Sequence, residues 1–366
     1  MKIVIKVGSL GVTNPDGGAD VQKIQRLLSD INELKKMGHT PILVSSGAIN
    51  SAKIIHSHLA KTNELHTTDL AKQQAKAAIG QPVLMKYYLE CAEIFKMPLA
   101  QILVTHEDFK NRQRFLNIRN TLYYLMENHV LCIVNENDTV SSKEITVGDN
   151  DQLAAIIAQC IQADLLILLT EADGLFDQHP SNPKAKHFKE IDFQDDFKNI
   201  QFAGKTSVGR GGMLSKVQAI RKLTPIGMDV ILATFDREKP ILRAFSGNGG
   251  TLFHGNPTEK IKERKSWIAT VAKTECTIYV DQGASEALKK NASLLPVGVT
   301  KIAGSFKRGD VVAINHSKNV IGFGISEYDS TDIELIKGKK SQEISTILKE
   351  IHNDVIIHKN NLFLKR

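Results

Sequence analysis

Val130-Leu-Cys-Ile-Val134 runs into Asn135-Glu-Asn-Asp138, and Gly148-Asp-Asn-Asp151 runs into Gln152-Leu-Ala-Ala155. These two junctions decide the fold. A short apolar run bounded by polar residues reads as a buried strand, and the apolar-periodic stretch from Leu153 to Ile161 reads as a helix. Each cluster of acids and amides therefore stands at the tip of an element, where ligands bind in sheet proteins. Like charges gathered in one place are costly unless a cation or a hydrogen-bond donor shares them. The candidates are a substrate ammonium, a metal and lysines elsewhere in the chain.

The same alternation extends outward from this segment. Ile3–Val7, Ile42–Val44, Leu99–Val104, Leu165–Leu169 and Val230–Ala233 read as strands. Asp20–Met37 carries apolar residues at helical spacing, with Gly38 as its stop. Further helices are expected near 67–79, 82–96 and 112–127. Strands that alternate with long helices predict an α/β fold, a mostly parallel sheet with helices on both faces. After about residue 255 the pattern changes. A polar, basic stretch leads into short strand-like pieces at Thr277–Val280, Val311–Ile314 and Val320–Ile325, broken by turns such as Gly304-Ser-Phe-Lys-Arg-Gly-Asp310. We expect one domain over 1–255, a linker over 256–273 and a small, mainly β domain over 274–366.

Composition narrows the function classes. With 366 residues, two domains are expected. The net charge of +7 invites a nucleic-acid reading, but its distribution speaks against one. From Thr274 onward there are 13 basic and 11 acidic residues, a weak electrostatic footprint for RNA. The basic patch Lys260-Ile-Lys-Glu-Arg-Lys265 reads as a solvated linker. The four cysteines, Cys91, Cys132, Cys160 and Cys276, show no CxxC spacing, which points to a reducing cytoplasm rather than a disulfide or metal framework. His56 and His58 form an H-x-H without a third ligand nearby and read as surface residues. The opening strand is unlike a signal peptide, and no apolar run approaches the length of a membrane span.

Four further segments could carry chemistry. Lys6 lies in an otherwise apolar strand, so it either meets a phosphate or carboxylate or reaches solvent at the strand end. Ser45-Ser-Gly-Ala48 follows a strand. It could admit an anion to backbone amides, although a plain cap and turn is the simpler reading of this segment alone. Gly209-Arg-Gly-Gly-Met-Leu-Ser-Lys216 lacks the GxxxxGK[ST] spacing; it either offers bare amides followed by a cation, suited to phosphates, or is a flexible surface loop. Thr170-Glu-Ala-Asp-Gly174 leaves a strand at its carboxyl end and is either a ligand edge or an ordinary Asp-Gly turn.

In order along the chain, Lys6-Val-Gly-Ser9, Ser45-Ser-Gly-Ala48, Arg112-Gln-Arg-Phe-Leu-Asn-Ile-Arg-Asn-Thr121, Asn135-Glu-Asn-Asp138, Gly148-Asp-Asn-Asp151 and Gly211-Gly-Met-Leu-Ser-Lys216 resemble the amino-acid kinase family over about residues 1–255. Within that family they are most similar to the glutamate 5-kinases. The tail, with Gly304-x-Phe-x-x-Gly-Asp310, resembles a PUA domain.

The resemblance implies transfer of the γ-phosphoryl group of ATP, with Mg²⁺ mainly nucleotide-bound, to the side-chain carboxylate of L-glutamate. It implies that Ser46, Asp138 and Asn150 bind glutamate, with Asp149 and Asn135 lining the site. Lys6 and Lys216 would hold the phosphoryl and nucleotide phosphates, and Asp151 would orient the two lysines. Thr170, Glu171, Arg210, Gly211, Gly212, Met213, Leu214, Ser215 and Lys216 would form the nucleotide site. It further implies a homo-oligomer, dimer or tetramer, with proline as a candidate feedback inhibitor. A structural or regulatory role for the tail is expected over RNA binding. Another amino-acid kinase, acting on N-acetylglutamate or aspartate, is the alternative. Two departures stand out: Ile49-Asn-Ser-Ala-Lys53, where small residues and a glycine are usual, and Glu171, where Asp is frequent.

Overall fold

Strand β1 (Lys2–Val7) is buried over five of its six residues, which only a strand covered on both faces allows. The computed structural model describes residues 1–52, 69–141, 149–178, 182, 184–195, 213–257, 276–290, 292–317, 319–340, 343–348 and 354–364. The chain divides into two compact units, 1–260 and 261–366.

In the first unit β1 pairs in parallel with β2 (Thr40–Ser45) on one side and β5 (Leu165–Thr170) on the other. The eight-stranded sheet has the order β3-β4-β2-β1-β5-β9-β10-β8, where β3 is Leu99–Val104, β4 is Leu131–Glu136, β8 is Glu190–Ile191, β9 is Asp229–Thr234 and β10 is Thr251–Phe253. The order reverses at β1, so the carboxyl ends of β1, β2 and β5 flank a crevice of the kind that binds ligands in open α/β sheets. Among the described residues of this sheet only the β10–β9 pair is antiparallel, while β8 pairs in parallel with β10. Strands β6 (Leu175–Phe176) and β7 (His187–Phe188) form a separate ribbon.

The helices cover both faces. Ile3, Ile5 and Val7 look toward a core shared with α1 (Val21–Lys36), α3 (Asp69–Ile94) and α8 (Pro240–Phe245). Residues of the opposite parity, Val4 and Lys6, point to the other face, where α6 (Asp149–Cys160) lies across β1, β2, β4 and β5. Asp20 caps α1 through the Lys23 amide. The short α4 (His106–Lys110) and α5 (Arg112–Glu127) connect β3 to β4, and α7 (Met213–Leu223) packs on α6.

Where two helices are expected over 67–96, one helix runs from Asp69 to Ile94 with Pro82 inside it. A proline there removes a backbone donor, yet Ala77, Gln81, Leu84, Met85, Tyr88, Cys91 and Ala92 keep one buried stripe across it. Packing of that stripe outweighs the local cost. The turn after β2 also differs from a side-chain cap. Gly47 precedes the four-residue α2 (Ala48–Ser51) in the left-handed conformation, φ 103°, with no side-chain cap.

The second unit has its own core around Ile278, Phe306, Ile314, Tyr328 and Ile357. Its five-stranded sheet has the order β12-β11-β13-β14-β15, formed by Val299–Ala303, Thr277–Val280, Val311–His316, Asn319–Ile325 and Leu362–Leu364. Helices α9 (Gln282–Lys289), α10 (Ser330–Ile336) and α11 (Ile344–Ile347) complete it. Sequence patterning alone did not anticipate β12 or β15. His56, His58 and Lys260–Lys265 lie outside the described residues.

Candidate active site

Asp151 is fully buried, in the first turn of α6 at the carboxyl edge of the sheet. An isolated carboxylate there would be neutral or very costly. Its oxygens are instead held from two sides. Lys6, reaching from β1, places Nζ 2.6 Å from Oδ1. Lys216, in the first turn of α7, places Nζ 3.1 Å from Oδ2, and Ser215 donates its hydroxyl to the same oxygen at 2.6 Å. Both lysines are almost buried, at 5% and 6% exposure. The strand reading of Lys6 thus resolves toward a charged partner and away from solvent. Gln152 ties the two helices a second time, donating to the Ser215 carbonyl at 2.9 Å.

The electrostatics follow from this packing. Burial pushes the Lys6 ammonium below its ordinary 10.5; Asp151 pulls it back up and Lys216 pushes it further down. Burial alone would raise Asp151. The charges of Lys6 and Lys216, with hydrogen bonds from Lys6 and Ser215, outweigh it and hold the carboxyl below 3.8. One buried anion therefore keeps two cations beside each other.

Asn150, the preceding residue, faces a different set of groups. Its Nδ2 lies 3.1 Å from the Ser45 carbonyl, 2.8 Å from Ser46 Oγ and 3.0 Å from Asn135 Oδ1. Asn135 in turn donates to Gln81 Oε1 at 2.8 Å, and its Oδ1 accepts from the Glu136 amide at 2.9 Å. Ser45 Oγ meets the Tyr88 hydroxyl at 2.8 Å. Glu136 ends β4 beside His106 Nδ1 at 3.2 Å. Asp138 is half-buried in the following turn, which is pinned by the Asn137 amide on the Val104 carbonyl at 2.8 Å.

Seven of the sequence-derived residues thus fall into two connected groups, Lys6–Asp151–Lys216–Ser215 and Ser46–Asn150–Asn135. Thr170 ends β5 in register with Thr234, and its carbonyl accepts from Phe235; Glu171 is exposed. These two share the sheet edge without touching either group through a described hydrogen bond. Met213 is half-buried and Leu214 exposed at the start of α7. Arg210, Gly211, Gly212 and the side chain of Asp149 lie outside the described residues. Gln81 and Tyr88 were missed. They sit on a helix face whose spacing marks only burial, and neither carries a motif of its own. Among the described residues no group of three His, Cys, Asp or Glu is placed to hold a metal. Of the Asp151 oxygens, Oδ1 faces the Lys6 ammonium and Oδ2 accepts from Ser215 and Lys216.

The profile of the amino acid kinase family matches residues 1–233, and that of the PUA domain matches residues 277–348. A glutamate 5-kinase from Dictyoglomus thermophilum is 43% identical over 369 residues, covering 99% of this chain and 97% of that protein. One from Dictyoglomus turgidum is 41% identical over 368 residues, with 99% and 97% covered. Among solved structures, carbamate kinase from Giardia lamblia bound to AMP-PNP aligns with a TM-score of 0.52 at 16% identity, over 70% of this chain and 98% of that one. That likeness is one of fold.

Proposed function

The chain belongs to the glutamate 5-kinases of the amino-acid kinase family, and from this we infer that it phosphorylates the side-chain carboxylate of L-glutamate with ATP. The product is L-glutamyl 5-phosphate, and the reaction is the first step of proline synthesis. The single observation that carries the reading within this chain is the buried Asp151 gripping Lys6 at 2.6 Å and Lys216 at 3.1 Å at the carboxyl edge of the sheet.

The chemistry needs that arrangement. The nucleophile is already a carboxylate, so no general base has to remove a proton. The obstacle is bringing an anion to the γ-phosphate of a polyanion, and catalysis reduces to positioning and charge neutralisation. Lys6 and Lys216 offset the charge on the phosphoryl oxygens; Asp151 holds them in place and keeps two like charges together. Mg²⁺ is proposed to arrive bound to the nucleotide phosphates and to lower their charge. The segment Arg210–Lys216, with Thr170 and Glu171, is assigned to the nucleotide. Ser46, Asp138 and Asn150, with Asp149 and Asn135 beside them, are assigned to glutamate, Asp138 facing its ammonium.

The proposed setting is the cytoplasm, where ATP and free glutamate occur and where the buried thiols of Cys91, Cys132 and Cys160 stay reduced. No helix among the described residues is long and apolar enough to cross a membrane. Assembly as a dimer or tetramer, inhibition by proline and a regulatory rather than RNA-binding role for the C-terminal unit complete the proposal. The test of the activity is ATP turnover with L-glutamate, the acyl phosphate trapped as its hydroxamate. Turnover with N-acetylglutamate or aspartate but not with glutamate overturns it.

A further inference from the structure

Gln81 stands at the head of the hydrogen-bond chain that ends at Asn150, and two backbone groups fix the direction of that chain. The Ser45 carbonyl can only accept, so the end of the Asn150 amide lying 3.1 Å from it is the NH₂. The Glu136 N–H can only donate, so the end of the Asn135 amide lying 2.9 Å from it is the oxygen. The contact between Asn135 Oδ1 and Asn150 Nδ2 at 3.0 Å agrees with both assignments. Asn135 is buried, and its remaining NH₂ requires an acceptor; Gln81 Oε1 supplies one at 2.8 Å.

The position of Gln81 is itself tightly set. The backbone of the preceding Gly80 meets α2 so closely that a Cβ there would lie 1.8 Å from the Ala48 carbonyl oxygen. At the other end of the chain two consequences follow. The Asn150 NH₂ donates to Ser45, Ser46 and Asn135, so its carbonyl oxygen is turned away from all three. Ser46 Oγ accepts from Asn150 at 2.8 Å, which leaves the Ser46 hydroxyl proton to donate elsewhere. An acceptor and a donor set side by side match an α-ammonium and an α-carboxylate.

We propose that Gln81 is a positioning residue for the amino-acid substrate: through Asn135 it fixes the amide of Asn150 so that the carbonyl oxygen meets the α-ammonium, while the Ser46 hydroxyl donates to the α-carboxylate. The inference rests on the assignment of this group to glutamate. Removing the Gln81 acceptor strands the buried Asn135 NH₂. That amide then reorients toward another partner and withdraws its oxygen from Asn150.

The test compares wild type, Gln81→Met and Gln81→Glu with glutamate and with glutarate, which lacks the α-ammonium. Methionine approximates the shape without an acceptor; glutamate offers an oxygen in either protonation state. In Gln81→Met the KM for glutamate rises about tenfold, as one stranded buried donor implies, and the preference in kcat/KM for glutamate over glutarate falls by about the same factor. The KM for ATP stays within about twofold, since no nucleotide contact is touched. Gln81→Glu recovers most of the preference. A folded Gln81→Met enzyme with the wild-type preference overturns the inference, and so does a Gln81→Glu enzyme that loses as much as Gln81→Met. Should Gln81→Met fail to fold, Gln81→Glu decides alone: preference retained supports the relay, preference lost overturns it. A wild-type enzyme inactive on glutamate counts against the proposed reaction rather than against Gln81. The relay is then judged in the same way on the amino acid that is accepted and its deaminated analogue.

Discussion

Asp151 and Asn150 are neighbours on one helix, yet they organise two halves of the site by different physics. Successive helical residues point about 100° apart, so one side chain looks toward β1 and α7 and the other toward the ends of β2 and β4. Around Asp151 the interactions are between full charges: two lysines and a carboxylate, all buried. Around Asn150 they are neutral hydrogen bonds whose worth lies in direction. In the proposed assignment the charged group serves phosphoryl transfer, and charge suits that task because it stabilises an anion wherever the oxygens shift. The neutral group is proposed to recognise the amino acid, and fixed amides suit that task because they distinguish donor from acceptor.

Asp151→Asn tests the charged half most severely. The shape is kept, but two lysines are left beside a neutral amide. We expect kcat to fall by about 10²–10³, the scale of losing preorganised charge stabilisation. The KM for glutamate should stay within a few-fold, and steady-state kinetics check both. The pH profile adds a signed test. Lys6 must be cationic to act, so kcat declines as pH rises through its pKa, which burial places below 10.5. Asp151 holds that pKa up, so its replacement moves the alkaline limb to lower pH. A limb that stays in place means Lys6 is not the group being titrated.

For the neutral half, Asn150→Ala should act on binding and not on chemistry. Loss of one substrate hydrogen bond, with Ser46 and Asn135 left partly unpaired, predicts a KM for glutamate raised about 10–100-fold. The kcat should change far less. If Asn150→Ala lowers kcat as much as Asp151→Asn does, the division between the two halves fails.

The charged half was the more legible in sequence. A lysine in an apolar strand and an acidic cluster opening a helix are local anomalies, and each asks for a partner of opposite sign. The strands were legible for the same reason, since an uninterrupted apolar run such as Leu165–Leu169 is buried on both faces. Gln81 carries no such mark. It lies 54 residues from Asn135 in the chain, and an amide among apolar residues looks like any other helical glutamine. Pro82 obscured it further, because a proline reads as a helix boundary and splits the stripe that places Gln81. The direction of an amide depends on groups from three elements at once, and only the folded chain brings them together.

Gly80→Ala tests whether the neutral half depends on the seating of α3. The added Cβ would overlap the Ala48 carbonyl, and the backbone must move to admit it. Overpacking of this kind costs about 1–3 kcal/mol, which lowers Tm by on the order of 5 °C. Because α2 and Gln81 move with it, the KM for glutamate should rise a few-fold while the KM for ATP holds. Thermal unfolding and steady-state kinetics check this. An unchanged Tm means the helix contact is looser than its geometry implies.

Asp30 gives the smallest effect and the sharpest control, because it is a buried carboxylate without two lysines. It accepts from the amides of Ile241 and Leu242 at 2.8 and 3.3 Å, capping α8 from the neighbouring α1 on the same face of the sheet. Burial raises its pKa above 3.8, and the two amides and Lys239 only partly offset that. The two aspartates should therefore depend on pH with opposite sign. Asp151, with its pKa depressed, contributes stability that is present above 3.8 and lost as pH falls through its lowered value. Asp30, with its pKa raised, gives up stability as pH climbs from 3.8 through its raised value, because the unfolded chain ionises first. Asp30→Asn keeps an oxygen for the α8 amides and removes the ionisation. It should change stability by no more than about 1 kcal/mol at neutral pH. Relative to wild type, it should become more stable as pH rises across that window, whereas Asp151→Asn should become less stable as pH rises toward 3.8. Melting temperatures of the three proteins between acid and neutral pH read this directly. Two variants with the same slope would mean that the lysines, and not burial, have been given too large a part in holding Asp151 ionised.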